Sequence, residues 1–505
     1  LIISQASTIN AINATNGTLT LSAALTIGGD NSASSFAGTI SAGQFIKNGT
    51  GTFLNGNTAT NTTSYVINNG IMKLNAANAA LYANVTLGAN GTIDLNGANI
   101  GTGSGTMHLQ GSGFNGQGAL INSAATASTF YGPNMYWDSL SDFLINTTNG
   151  QINFYSQTQR SGSTPTIVKT GSGTLNAVNL SGTTANIGSA FNIQQGTAII
   201  GSSMTTAGLS HILNVSVASG ATANFSLQGT QTYSGIISGA GNVLYSATYT
   251  SNTILTISGN NTYTGTTTIN GTGTSATIGN TIVAGYATHY TNGVIDYSPF
   301  GATPSLVMSN IQNTNLNIGA YAIELYALSG GGTTGGNINL GTGTLTVGAG
   351  NTNTTYAGVL SSATGTPAGG LVKTGTGTLI LSGANTYNNA TTINSGTLTA
   401  AGGVALGALY NTTPSLSAIT VNSGGTLDMQ TAMTIVKPIT LNGGTLQNSG
   451  ATGVAFSGAI SLTADSFIKP TTAVLTLSGI ISNSGGTYGL TKTGNSTLTL
   501  SGANT

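Results

Sequence analysis

One phrase, Lys-Thr-Gly-x-Gly-Thr-Leu, recurs along this chain and sets the scale on which it must fold. It runs from Lys169 to Leu175 and from Lys373 to Leu379, with looser copies starting at Lys47 and Lys492. Upstream of most copies stands an aromatic-x-Gly phrase closing on an aliphatic residue and Ser, as in Phe36–Ser41, Tyr233–Ser238, Tyr356–Ser361 and Phe456–Ser461. A third phrase, Gly-Thr-aliphatic-Asp, occurs at Gly91–Asp94 and Gly425–Asp428. Repeats of this kind belong to architectures in which one short unit is stacked on the next, because no single unit can bury its own apolar face.

Between the phrases lie short runs such as Thr18–Leu21 and Thr497–Leu500, in which Thr alternates with Leu. Alternation with period two marks a strand with one buried face. Gly and Asn at the ends of these runs supply the positive φ angles that tight corners need. Stacked Thr and Asn on successive coils can form side-chain ladders. The pattern predicts an all-β fold, a right-handed parallel β-helix. With on the order of 20 residues and ~4.8 Å of rise per coil, the body reaches roughly two dozen coils and over ~100 Å. We expect one continuous β-helix over 1–505, with irregular excursions from the coil at 127–160 and 283–330.

The two ends carry complementary half-motifs. Ser501, Gly502, Ala503, Asn504 and Thr505 repeat the start of Ser382–Tyr387, which continues to Thr-Thr-Ile-Asn394, and Ser258 opens a similar run. Leu1, Ile2 and Ile3 open the chain shortly before Ser7-Thr-Ile-Asn10, close to that continuation. The expected partners are therefore copies of the same chain, joined head to tail, or further coils of one longer chain.

Composition narrows the function classes. Charged residues make up 3% of the 505 residues and cancel to zero net charge. No basic patch exists to neutralise phosphates, so no nucleic-acid partner is expected. Low charge combined with abundant short aliphatic runs argues against disorder. No stretch approaches the ~20 apolar residues of a membrane-spanning helix. Cysteine is absent, which removes disulfides and thiolate metal sites. With few ionisable groups, stability should depend little on pH.

The run Lys373–Tyr387, continued by Thr391–Leu398, resembles the autotransporter-associated β-strand repeat, and Ile419–Asp428 is similar to the strand phrases between such repeats. That resemblance implies a secreted or surface-exposed bacterial protein, in which the repeat builds β-helical stalks. The copy ending at Tyr263 departs from the pattern, with Tyr245 and its neighbours where the lysine phrase would fall.

Candidate chemistry is sparse. The repeated lysines could form a cationic row for anionic glycans, or cap carbonyls at coil corners; the second reading is preferred. Asp94 and Asp428 read as turn residues rather than calcium ligands. The stretch with Tyr131, Tyr136, Trp137, Asp138, Asp142, Tyr155 and Arg160 holds the only Trp and the only Arg. Aromatics with carboxylates suit a sugar site, so these are the candidate glycan-binding residues. His289, Asp296 and Glu324 are too scattered for a convincing metal site, and His108 and His211 stand alone. No catalytic, metal or cofactor site is expected: there is no adjacent Asp pair or Gly-His-Gly of the β-helical lyase kind, and no nucleophile with a poised base. Asn-x-Ser/Thr triplets, among them Asn13, Asn48, Asn61, Asn146, Asn214 and Asn270, leave glycosylation open. Three functions follow in order. The first is an extracellular structural stalk, filament or sheath. The second is a passenger-type adhesin that binds surface glycans or other cells. The third is a β-helical polysaccharide lyase or hydrolase using Asp138 and Asp142.

Overall fold

The computed structural model describes the chain except residues 1, 4–6, 10–11, 15–17, 28–32, 37–38, 42, 57–63, 76–83, 101–105, 131–133, 138–141, 155–157, 160–165, 178–189, 202–213, 228, 248–252, 272–279, 292–293, 363–369 and 408–416. Among the described residues there is no α-helix; a single 3-10 turn sits at Phe114–Gly116. The chain divides into two compact units, Leu1–Leu244 and Tyr245–Thr505. Each is a β-solenoid of parallel strands, in which a strand pairs with its counterpart one coil further along the chain.

In the first unit, Gln44–Lys47 pairs with Ser64–Leu74, which pairs with Val85–Asp94 and then Thr106–Leu109. A second stack runs from Phe143–Asn146 through Thr166–Thr170, Ala190–Ile193 and Asn214–Val217. A third joins Ile152–Phe154, Thr174–Ala177, Thr197–Ile200 and Thr222–Leu227. The repeat length is elastic. Tyr65 lies opposite Val85, 20 residues on, whereas Met107 lies opposite Met135, 28 residues on.

Within 127–160, expected to leave the coil, several described segments are coil strands. Ser128–Phe130 pairs with Ile152–Phe154, and Asn134–Trp137 lies between Thr106–Leu109 and Thr158–Gln159. Strand residues such as Phe130, Phe143 and Phe154 fill the core.

In the second unit the coils run from 39 residues at Thr266–Ser305 to 19 at Thr378–Thr397, and from Ile419 onward the stack becomes even. Ile439 stacks on Ile460 and Ile460 on Ile481, 21 residues apart each time. Three strands per coil are visible there: Ile439–Asn442, Thr445–Asn448 and Val454–Phe456 each belong to a stack that continues through the next coil. Within 283–330 the antiparallel hairpin of His289–Thr291 and Val294–Tyr297 and the isolated antiparallel bridges of Ser298 and Gln312 leave this scheme. Ser305–Met308, Thr314–Asn317 and Ala322–Leu325 have returned to parallel stacks.

The alternation decides which face is buried. In Ile439–Asn442, Ile439 and Leu441 point inward and Thr440 and Asn442 outward. Inward residues line up as aliphatic columns such as Leu379, Leu398, Leu427 and Leu446, all buried. Each such side chain contributes roughly 1.5–3 kcal/mol on leaving water. Outward Asn residues form a ladder in which Asn422 donates to Asn394 at 2.8 Å and Asn442 to Asn422 at 3.0 Å. Thr463 extends it at 3.2 Å.

Candidate functional site

The repeated lysines occupy core positions. Lys47 lies in register with Ile27 and Ile67, Lys169 with Ile145 and Ile193, and Lys373 with Val347 and Ile393. A lysine thus stands where every neighbour in the column is aliphatic. Its four-carbon stem runs in the apolar interior and delivers the ammonium to the following turn. Lys47, Lys169, Lys373 and the further Lys437 are at most 1% exposed, so a row of surface cations for anionic glycans is ruled out at these positions.

Backbone carbonyls receive the charge. Lys169 Nζ donates to the carbonyls of Thr170, Gly171 and Gly173 in its own turn and of Gln195 in the next coil, at 2.5–3.1 Å. Lys373 Nζ donates to Thr374, Gly375 and, one coil on, Ser395, at 2.6–3.3 Å. Lys47 donates to Gly49 and to Asn69 of the next coil. Lys437 donates to the Leu406 carbonyl at 2.9 Å and sits 5.1 Å from the centre of the Tyr387 ring. Burial pushes these four ammonium groups down to about 8, since low polarity disfavours the charged form. Neutral pH lies below that value, so the amines are mostly protonated there. Lys492 shows what a covering coil adds: it is exposed and donates to Gly494 alone among the described contacts.

Glycine makes the cage possible. Gly396 has φ 65°, and a Cβ there would lie 2.4 Å from the Gly375 carbonyl oxygen and 2.9 Å from Lys373 Nζ. The Lys-x-Gly spacing is therefore one half of the motif, and the other half is a left-handed glycine one coil later.

The Asn of the Ser-Gly-Ala-Asn-Thr-Tyr phrase acts as a substitute peptide group. Asn385 is buried; its Oδ1 accepts from the Leu360 N–H at 2.7 Å, and its Nδ2 donates to the Ala405 carbonyl at 2.6 Å. It bridges the coil before and the coil after, as a strand backbone would. Asn504 repeats the first half, accepting from Ile481 N–H at 2.9 Å, and Asn261 the second, donating to the Pro299 carbonyl at 3.0 Å. The Tyr that ends the phrase is core: the Tyr387 hydroxyl pairs with Thr391 at 2.8 Å and that of Tyr263 with Thr267. Burial pushes Tyr387 up to about 12, with the Thr391 hydrogen bond pulling the other way, and raises Tyr233, Tyr263 and Tyr356 further. The two repeated aspartates brace coils in the same manner. Asp94 accepts from the N–H and hydroxyl of Ser123, and Asp428 from those of Ser449. Asp94 additionally pairs with Lys73 at 3.3 Å.

The aromatic stretch is only partly described. Tyr131, Asp138, Tyr155, Arg160 and the Trp137 side chain lie outside the described residues. Tyr136 is half-buried and stacks on His108, one coil earlier, with centroids 4.8 Å apart and planes at 8°. One face of the Tyr136 ring is therefore taken by a neighbour rather than offered to a sugar. Asp142 is exposed at the start of Phe143–Asn146. The sequence reading left His108 alone; only the 28-residue register to Tyr136's strand brings the two rings together. The His289 and Asp296 side chains are likewise outside the description, and among the described residues no three metal-capable side chains cluster.

At the termini, Leu1 is outside the described residues, while Ile2 and Ile3 pair with Thr20 and Leu21. Ser501 and Thr505 donate their N–H groups to Leu477 and Ile481 of the preceding coil.

Inward columns, carbonyl-caged lysines and peptide-mimicking asparagines together define a parallel β-solenoid assembled from a stacking repeat. Residues 248–275, 371–400 and 490–505 match the passenger-associated-transport-repeat, in line with the resemblance of their phrases. No curated protein and no solved structure matches the chain. No helix among the described residues is long and apolar enough to cross a membrane.

Proposed function

We propose that the chain is a non-enzymatic structural segment of a passenger-type surface protein, a β-solenoid stalk that stands outside the cell. One observation carries this reading: the Lys, Asn and Asp of the repeated phrases are consumed in joining coil to coil, and the Tyr in filling the core. Lys373, Asn385, Tyr387 and Asp428 are all buried and hydrogen-bonded inside the stack. A repeat whose signature residues face inward supports length and rigidity, whereas a recognition repeat would turn them outward. Antibody raised against the chain should label intact cells, and the purified chain should neither bind a glycan array nor cleave polysaccharides. Saturable glycan binding that disappears in Tyr136→Ala or Asp142→Ala would replace this reading with the adhesin.

Association of copies is the finer form of the same proposal. A coil laid over Ser501–Thr505, from the same chain or another copy, would occupy the place that Ala405 holds over Asn385. Deleting Ser501–Thr505 should then abolish any head-to-tail polymer while leaving the solenoid folded, and unchanged polymerisation would remove the joint.

A further inference from the structure

The lysine cages have a chemistry of their own, which holds whether the solenoid is a stalk or an adhesin. Around Lys169 every oxygen that meets the ammonium is a neutral backbone carbonyl: Thr170, Gly171, Gly173 and Gln195. Around Lys373 the set is again carbonyls only, from Thr374, Gly375 and Ser395. These oxygens are aimed by backbone that cannot easily turn away. Gly171 and Gly196 have φ of 79° and 66°, Gly375 and Gly396 of 65° each, and the coils are locked by ladder hydrogen bonds such as Thr197 N–H to the Gly173 carbonyl. A ring of fixed neutral oxygens without a carboxylate replaces the hydration shell of a singly charged ion, while divalent ions call for charged ligands.

We infer that each cage is a binding site for a monovalent cation of ammonium or potassium type, occupied in the native chain by the tethered ammonium of its own lysine. The aliphatic columns on either side explain the tether. Ile145 and Ile193 flank Lys169, so the stem is held as any core side chain would be and carries its own cation into the cage. The carbonyls come from two successive turns, so the bound cation joins coil to coil, and removing it leaves oxygens from both turns without that partner.

Lys169→Ala, and Lys373→Ala in the second unit, empty the cage and leave room for a free ion. In N-methylglucamine chloride these variants should melt lower than the native chain. Ammonium or potassium chloride at the same ionic strength should restore part of the loss with a saturable concentration dependence. The native chain should melt alike in all three salts. A deficit of equal size in every salt overturns the proposal. Lys169→Met keeps the apolar stem and fills the space without charge; it should be destabilised and unresponsive to salt, and native stability in this variant would show that the cage needs no cation. One measurement needs no variant. In the native chain Lys169 and Lys373 should be acetylated on the order of 100-fold more slowly than exposed Lys469, because reaction requires the coil to open. Equal rates would overturn the cage as well.

Discussion

Replacing Asn385 separates an inter-coil amide bridge from ordinary packing. Its side chain satisfies the Leu360 N–H and the Ala405 carbonyl, both in the buried interior. Asn385→Ala leaves one donor and one acceptor unmatched, and each such group costs about 1–3 kcal/mol, so the local loss should be about 2–6 kcal/mol. Repeat arrays open coil by coil, so the assay is hydrogen exchange read at the Leu360 amide and its neighbours rather than a global melt. A loss of 2 kcal/mol corresponds to roughly 30-fold faster exchange. Asn385→Asp adds a test of sign. A buried carboxyl beside a carbonyl has its pKa raised above the unfolded value of about 3.9, so its favourable contribution is complete below that pH and is lost as pH rises through the folded pKa. When protonated it can accept from Leu360 and donate to Ala405 as the amide does. Asn385→Asp should therefore approach native protection near pH 4 and lose it at neutrality, while Asn385→Ala stays unprotected at both. Native-like exchange in Asn385→Ala, or a pH-independent Asn385→Asp, would refute the bridge.

Three further outcomes are expected. Stability should hold into mild alkali and fall above about pH 10. The buried tyrosines, raised, contribute stability that is complete below about pH 10 and is lost above it, at about 1.4 kcal/mol per pH unit for each. Phenolate absorbance should thus appear together with loss of the β circular-dichroism signal, and tyrosines that ionise near pH 10 in an intact fold would contradict their burial. Gly396→Ala should destabilise the Lys373 coil by more than about 1 kcal/mol, because the new Cβ meets two carbonyl oxygens at 2.4–2.5 Å in a left-handed turn, and protection of the Thr397 amide reports it. Phe467→Ser, at an outward position that is 41% exposed, should shift stability by no more than about 0.5 kcal/mol in the same exchange experiment.

The expectation that few ionisable groups make stability depend little on pH rests on charged residues. Tyr233, Tyr263, Tyr356 and Tyr387 count as aromatic residues in a composition, and their buried hydroxyls should add a dependence on the alkaline side. The lysine phrase was legible as a corner motif that caps carbonyls. That the side chain points inward was also available in principle, since in Ile167–Lys169 the lysine falls two residues from a buried Ile and hence on the same face.

Sequence alone determined the strand-and-corner rhythm, because alternation and left-handed glycines act over a few neighbouring residues. It also determined the repeat family, whose phrases are contiguous. Only the tertiary structure decided which carbonyls hold Lys169, what Asn385 bridges, that Asp94 and Asp428 each reach a serine of the next coil, and that His108 stacks on Tyr136. Those partners lie one coil away, and the coil length varies from 18 to 39 residues among the described strands. Contacts within a strand are fixed by the order of residues, whereas contacts between coils depend on where the chain returns, which the packing of the whole column sets.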